Sequence, residues 1–341
     1  MLKRAVVVKR VGRISLPNAP QAWLVSHRHA LLLFASQSPT FGLHRTDALM
    51  SLLPRGSSPT LDGPVSPRPS ALTLLAWTNV LMGLSAASAT FATCQVLGEE
   101  ADFLAAAFAF AIITAAYTRD RLTGPDSEGA PGSREAWMAR HHRAMRTWMG
   151  LCVLLALVTA VLRPWCALAL VLAWISARLY AKPWISARGR RVALRQLPGM
   201  KVPYVVAVWV TVAILPVAAD NDLLTLASTW LWALSVLLIG SVEVINNDLR
   251  DVGADRLDGT RSLPVLLGVA RAKRLGYAFA VLGLLVSAPV APLVGLVWGG
   301  YAAALLACHS PERDARLRPW IESQVAVAAL AAAVPADALG L

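Results

Sequence analysis

The sequence predicts an all-α, polytopic integral membrane protein with about nine transmembrane helices. Three observations predict it. Charged residues are 15% and hydrophobic residues 56% of the 341, where a soluble domain carries about 25% charge. The apolar residues come in blocks close to the roughly 20 that a bilayer core about 30 Å thick requires. Basic residues concentrate in every second loop, as the positive-inside rule demands.

In chain order, residues 1–68 are a basic arm with no acid before Asp47, ending in the Pro/Ser-rich "PRGSSPTLDGPVSPRPS", a composition that packs no core. It reads as a disordered cytoplasmic arm, as an Arg-rich and acid-poor transit peptide, or as untranslated sequence ahead of a start at Met50. Residues 69–341 form one helical membrane domain. Its spans fall near Leu72–Val96, Phe103–Tyr117, Trp148–Leu162, Cys166–Tyr180, Val202–Ala218, Leu223–Ile245, Leu275–Val290, Leu293–Cys308 and Ile321–Val334.

The loop after the second span carries Arg119, Arg121, Arg134, Arg140, Arg143 and Arg146, and the loop after the fourth runs from Lys182 through Arg195 to Lys201. Arg250 to Arg274 follow the sixth span and Arg313 to Arg318 the eighth, while "GEEAD", "RPW", "AADND" and "APVAP" between them hold Arg163 as their sole basic residue. The N-terminus and the even loops are therefore expected in the cytoplasm. The net charge of +12 is then an orientation signal with attraction to anionic lipid, not a nucleic-acid footprint.

The sixth span runs into "EVINNDLRDVGADRLDGTRSLPVLLG", where Asp248, Asp251, Asp255 and Asp258 follow one another at spacings of three, four and three. On a continuing helix all four lie on one stripe. Like charges so placed repel, and they sit at a helix C-terminus, where anions oppose the macrodipole. A bound cation resolves both, and for oxygen ligands the first candidate is Mg²⁺. The plainer alternative is a solvated helix end balanced by Arg250 and Arg256. Against it stand Glu243, Asn246 and Asn247 at the edge of the apolar span, where polar groups are costly unless paired or functional. The second span ends the same way, in "AAYTRDRLTGPDSEGAPGSREAW" with Asp120, Asp126 and Glu128, so two acidic clusters at one membrane depth are expected to face one another across a cavity.

Other patterns carry less. Cys94, Cys152, Cys166 and Cys308 lie in or beside spans without CxxC spacing and read as packing residues. His141 and His142 are adjacent in sequence, which puts them on different faces of a helix, and they read as part of a basic lead into the third span. Many of the twelve tryptophans stand near span ends as interfacial anchors.

The second motif resembles that of the UbiA superfamily of intramembrane prenyltransferases, whose menaquinone branch carries Asn-Asn-x-x-Arg-Asp-x-x-x-Asp-x-x-x-Gly-x-x-Thr-Leu ending in Leu-Gly. The match lands on Asn246, Asn247, Arg250, Asp251, Asp255, Gly259, Leu263 and Gly268, with Ser262 where Thr is usual. "LYAKPW" and "QLPGMKVPYVV" are similar to further segments of that family. The first motif departs from Asn-Asp-x-x-Asp-x-x-x-Asp: Thr123 stands three residues after Asp120, and acids return only at Asp126 and Glu128.

The resemblance implies a nine-helix bundle around a central cavity and an Mg²⁺-dependent enzyme that ionises an isoprenyl diphosphate and passes the prenyl chain to a lipophilic or aromatic acceptor. Asp120, Asp251 and Asp255 are then the catalytic metal ligands, supported by Asp248, Asp126 and Glu128. Asn247, Arg121, Lys182, Arg195 and Lys201 are the expected diphosphate contacts, each basic one serving equally well as a positive-inside anchor. Tyr117 and Tyr180 would face the allylic cation with their rings, or stand as interfacial belt residues. A terpene cyclase on the same scaffold, needing no acceptor, is the near alternative. A transport or non-catalytic membrane protein is the distant one.

Overall fold

The structure is a computed structural model and describes residues 70–123, 134–183, 185–187, 190–257, 259–310, 317 and 320–332. The arm at 1–68, Met50 within it, and the candidate residues Asp126, Glu128 and Asp258 lie outside the described residues.

A short helix and two long ones open the domain: α1 (Ala71–Trp77), α2 (Val80–Leu97) and α3 (Phe103–Thr123) bracket the first two predicted spans, with α1 and α2 sharing one of them. The predicted first span breaks because Asn79 adopts a left-handed backbone, φ 59°. Its side chain donates to Thr118 on α3 at 3.1 Å, a tertiary contact that compensates the interruption. There follow α4 (Arg134–Arg140), α5 (His142–Leu162), α6 (Pro164–Ala181), and an antiparallel hairpin of β1 (Ile185–Ala187) and β2 (Arg190–Val192). Next come α7 (Lys201–Ala213) and α8 (Leu215–Asp220), separated at Ile214, just before Pro216, whose ring denies the helix one amide donor. The last elements are α9 (Ala227–Arg250), α10 (Val252–Leu257), α11 (Leu263–Leu267), α12 (Val269–Ser287), α13 (Pro292–Cys308) and α14 (Gln324–Ala332).

The long helices close a ring. α2 packs on α3, α3 on α5, α5 on α6, α6 on α7, α7 on α9, α9 on α12, α12 on α13, α13 on α14, and α14 returns to α2. Trp232, Trp298, Phe108, Ile239 and Ile245 are buried inside it, and the Trp232 indole donates to Thr93 at 3.0 Å. The outward faces are apolar instead of polar: Leu151, Leu154, Leu157 and Val161 of α5, Trp174 of α6 and Leu285 of α12 are exposed. Five of the described helical segments are long and apolar enough to cross a membrane, namely Val80–Leu97, Phe103–Leu122, His142–Leu162, Lys201–Asp220 and Ala227–Arg250. Pro164–Tyr180 and Pro292–Cys308 are shorter apolar helices. An apolar outer face on such helices is compatible with a multi-pass membrane protein.

Candidate functional site

The ring has two chemically different ends, because α3 and α9 each begin at one and finish at the other; the 21 residues of α3 span about 30 Å. At its C-terminal end α9 delivers Asp248 and Arg250, then stops. Asp251 is the cap residue, φ −91° and ψ 11°, and α10 starts at Val252. The expected single stripe is therefore divided: Asp248 and Asp255 turn to one partner and Asp251 to another.

That first partner is Lys201, at the N-terminus of α7. Its Nζ lies 2.8 Å from Asp248 Oδ1 and 3.2 and 3.3 Å from the two oxygens of Asp255. Asp248 is fully buried, and its second oxygen, Oδ2, has no donor. Two glycines with positive φ bring these groups together. Gly199, φ 68°, turns the "PGMK" segment so that its amide donates to the Arg261 carbonyl at 3.0 Å, anchoring the start of α7 to the turn after α10. Gly259, φ 69°, makes that turn, which Thr260 closes by donating its amide to the Asp255 carbonyl at 2.8 Å.

Asp251 instead receives two hydrogen bonds from Arg250, at 2.9 and 3.1 Å. Burial works to raise the Asp251 carboxyl, but the charges of Arg250, Arg121 and Lys201 outweigh it and hold that carboxyl below the usual carboxylate range. The first acidic motif comes within electrostatic range of groups at the second. Asp120 acts electrostatically on Tyr180 together with Asp248 and Asp255, and Arg121, beside it on α3, acts on Asp251. Tyr180 stacks on Tyr204 with ring centroids 5.0 Å apart. Lys182 is an exposed cap at the end of α6. Arg195 is half-buried in a 3₁₀ turn, its Nε without a partner.

Directly inward of this cluster lies a cavity of about 30 Å³, room for a water or two. Its walls are mostly apolar, from Ala89, Val205, Val206, Ala213, Val236, Gly240 and Val244, with Tyr117, Trp209, Glu243, Asn247 and Trp298 as the exceptions. Asn247 donates to the Glu243 carbonyl at 3.2 Å, and Trp209 is the hydrogen-bond partner of the Tyr117 hydroxyl. Trp298 and the buried Gln324 beside Glu243 are polar groups that sequence reasoning missed. They come from apolar helices remote in sequence, and the one local signal is a glutamine inside "IESQVAVAAL".

Among the described residues, no three His, Cys, Asp or Glu side chains converge to hold a metal ion. Lys201 occupies the space between Asp248 and Asp255, and Arg250 neutralises Asp251. The described residues as arranged do not fit a divalent cation, which would first have to displace the lysine. What the arrangement offers is a basic and acidic head-group end, with Lys201 and Arg121 as cationic donors, over an apolar interior. Comparison with protein-family models, with curated proteins and with solved structures gives no match for this chain.

Proposed function

We propose that the chain is a UbiA-type intramembrane prenyltransferase, crossing the bilayer nine times around a central cavity, with the N-terminus and the site-bearing loops in the cytoplasm. The observation that carries this reading is the stacking of two chemistries: the Lys201–Asp248–Asp255 cluster at the helix ends lies over a mostly apolar cavity inside the ring. An isoprenyl diphosphate has that polarity, polyanionic at one end and hydrocarbon at the other. Lys201 and Arg121 suit its phosphate oxygens as charge-assisted donors, and preorganised cations there stabilise the charge that develops as diphosphate departs. Mg²⁺ belongs to the proposal through the acidic motifs as a whole, Asp120, Asp126, Glu128, Asp248, Asp251 and Asp255, two of which lie outside the described residues. A geranyl chain exceeds the cavity volume, so this reading requires the helices around Ala89 and Gly240 to part on binding.

The cyclase reading has one observation of its own: Tyr117, Trp209 and Trp298 put aromatic faces on the cavity, where they would stabilise a carbocation. One experiment tests both. The full chain in lipid nanodiscs is supplied with Mg²⁺ and geranyl, farnesyl or geranylgeranyl diphosphate, with and without a bacterial lipid extract, and products are read by mass spectrometry. Prenylated products that require the extract support transfer. Cyclic hydrocarbons formed without it support the cyclase, and no diphosphate release with any donor overturns both.

A further inference from the structure

Glu243 sits in the apolar part of α9, about 8 Å along the helix axis from Asp248, and takes no part in the charge cluster. It is 6% exposed, lines the cavity, and its Oε1 has no hydrogen-bond donor. Across the same cavity Trp298 is 2% exposed, and its Nε1–H has no acceptor. Behind Glu243 stands Gln324, fully buried, with neither amide atom in a well-formed hydrogen bond. Buried polar groups inside a span are costly when unmet, and here Glu243 and Trp298 line one small cavity whose other polar residues, Tyr117, Trp209 and Asn247, have hydrogen bonds of their own.

An indole N–H only donates, while a carboxyl oxygen accepts. The group that meets both at once is one that donates and accepts through a single atom, on a body apolar enough for the surrounding wall. We propose that this cavity, once the helices around Ala89 and Gly240 part to admit the ligand's body, is a binding subsite for the hydroxyl of an apolar alcohol or phenol, whose oxygen accepts from Trp298 Nε1–H and whose proton is donated to Glu243. Naming that ligand as the prenyl acceptor rests on the transfer reading; its binding does not.

The test uses the full chain in nanodiscs with no diphosphate present. Dicyclohexylcarbodiimide, which reaches carboxyls inside membranes, is allowed to modify Glu243, and the rate is read by peptide mass spectrometry in the presence of 4-methylphenol, 4-methylanisole or toluene. The three are similar in shape but differ in hydroxyl chemistry. Modification should slow at least about fivefold with 4-methylphenol and less than about twofold with toluene, with 4-methylanisole, which can accept from Trp298 but donates nothing to Glu243, falling between them. Trp298→Phe keeps an aromatic ring on the wall but removes the donor and enlarges the cavity, and should nonetheless raise the half-protecting 4-methylphenol concentration about five- to tenfold. Equal protection by toluene would make the cavity a plain apolar pocket, and protection by none of the three would leave it a water site. Either result, no modification of Glu243 at all, or unchanged protection in Trp298→Phe overturns the proposal. The probe series on the unsubstituted chain decides it even if the variant does not fold. Protection without prenyl turnover would sink the transfer reading and leave this site standing, and turnover without protection would do the reverse.

Discussion

Each end of the bundle sets one cation between two aspartates, and the two arrangements differ in what they leave open. At one end Arg163, at the N-terminus of α6, reaches Asp102 at 2.9 Å with one nitrogen and Asp220 at 2.6 Å with the other. At the other, Lys201 is a single point charge shared by Asp248 and Asp255. A guanidinium presents separate donors in a fixed fork, so each carboxylate has its own. Asp102 is further used up by capping α3, accepting from the Ala105 amide at 2.9 Å. The ammonium cannot do the same: Asp248, fully buried, keeps an oxygen without a donor. The Arg163 clamp is 30% exposed at its cation and ties together the loop before α3, the junction of α5 and α6, and the C-terminal end of α8. The first end behaves as a fastener, and the second has unused capacity to take a ligand.

The comparison is sharpest if the ends face different compartments. In a background with Cys308 replaced by Ser, a single cysteine at Ser186 or Ser310 should react with an impermeant maleimide only from the cytoplasmic side, and one at Asn221 only from the opposite side. Asn221 neighbours Asp220 of the clamp, whereas Ser186 lies in the hairpin between Tyr180 and Lys201. The reverse labelling would place the charge cluster outside the cell, out of reach of cytoplasmic diphosphates.

The second expectation concerns chemistry. Lys201→Met should lower diphosphate release about 10²- to 10³-fold, the usual loss when one preorganised donor to a developing anion is removed. Asp255→Asn should act in the same direction. Release within about threefold of the parent in Lys201→Met would make the lysine a second fastener and erase the distinction between the ends. Chelation of divalent cations supplies the complementary measurement. Release that is indifferent to EDTA would remove Mg²⁺ from the proposed function and leave the basic side chains to bind the head group alone.

Much of this was legible in the sequence, for identifiable reasons. Apolar block length and alternating arginines report directly on bilayer thickness and insertion, so the described long helices fall within or around predicted spans. Loops predicted to share a side do meet at one end, where Arg163 pairs with Asp102 and Asp220; at the other, Asp120, Asp248 and Asp255 all lie within electrostatic range of Tyr180. The stripe argument carried the aspartates only as far as Arg250. It assumed one continuous helix, and the helix is interrupted at Asp251, with Asp255 on α10 paired to Lys201. The break at Asn79 was hidden for a similar reason, since its compensation is a hydrogen bond to Thr118, remote in sequence. Pairing of Lys201 with carboxylates could not be read locally either: the sequence marks it as basic and near a helix start, and only packing of α7 on α9 supplies its partners.

At the fastener end the expected effects are on stability. Arg163→Met leaves Asp102 and Asp220 close together, both largely buried and without their cation, and should cost about 2 kcal/mol or more. This would be read as a lower thermal midpoint in detergent, while the protein that remains folded keeps its rate of diphosphate release. A loss of rate per folded molecule would show that the two ends are coupled.

The smallest expected effect is the most discriminating. Arg163→Lys preserves the charge but replaces the fork with a point charge, making the clamp resemble the Lys201 cluster. The cost should be below about 1 kcal/mol, because these groups keep partial access to water, which replaces a lost hydrogen bond at modest expense. At the other end, Lys201→Arg tests the converse. The bulkier guanidinium has a donor for Asp255 and a donor for the idle oxygen of Asp248, so thermal stability should hold or rise while release falls at least about tenfold, since the freedom of the ammonium to leave its carboxylates for a phosphate is lost. If Lys201→Arg retains full activity, charge alone matters at that end, and the contrast between a saturated clamp and an open cluster does not explain why one end would bind substrate and the other would not.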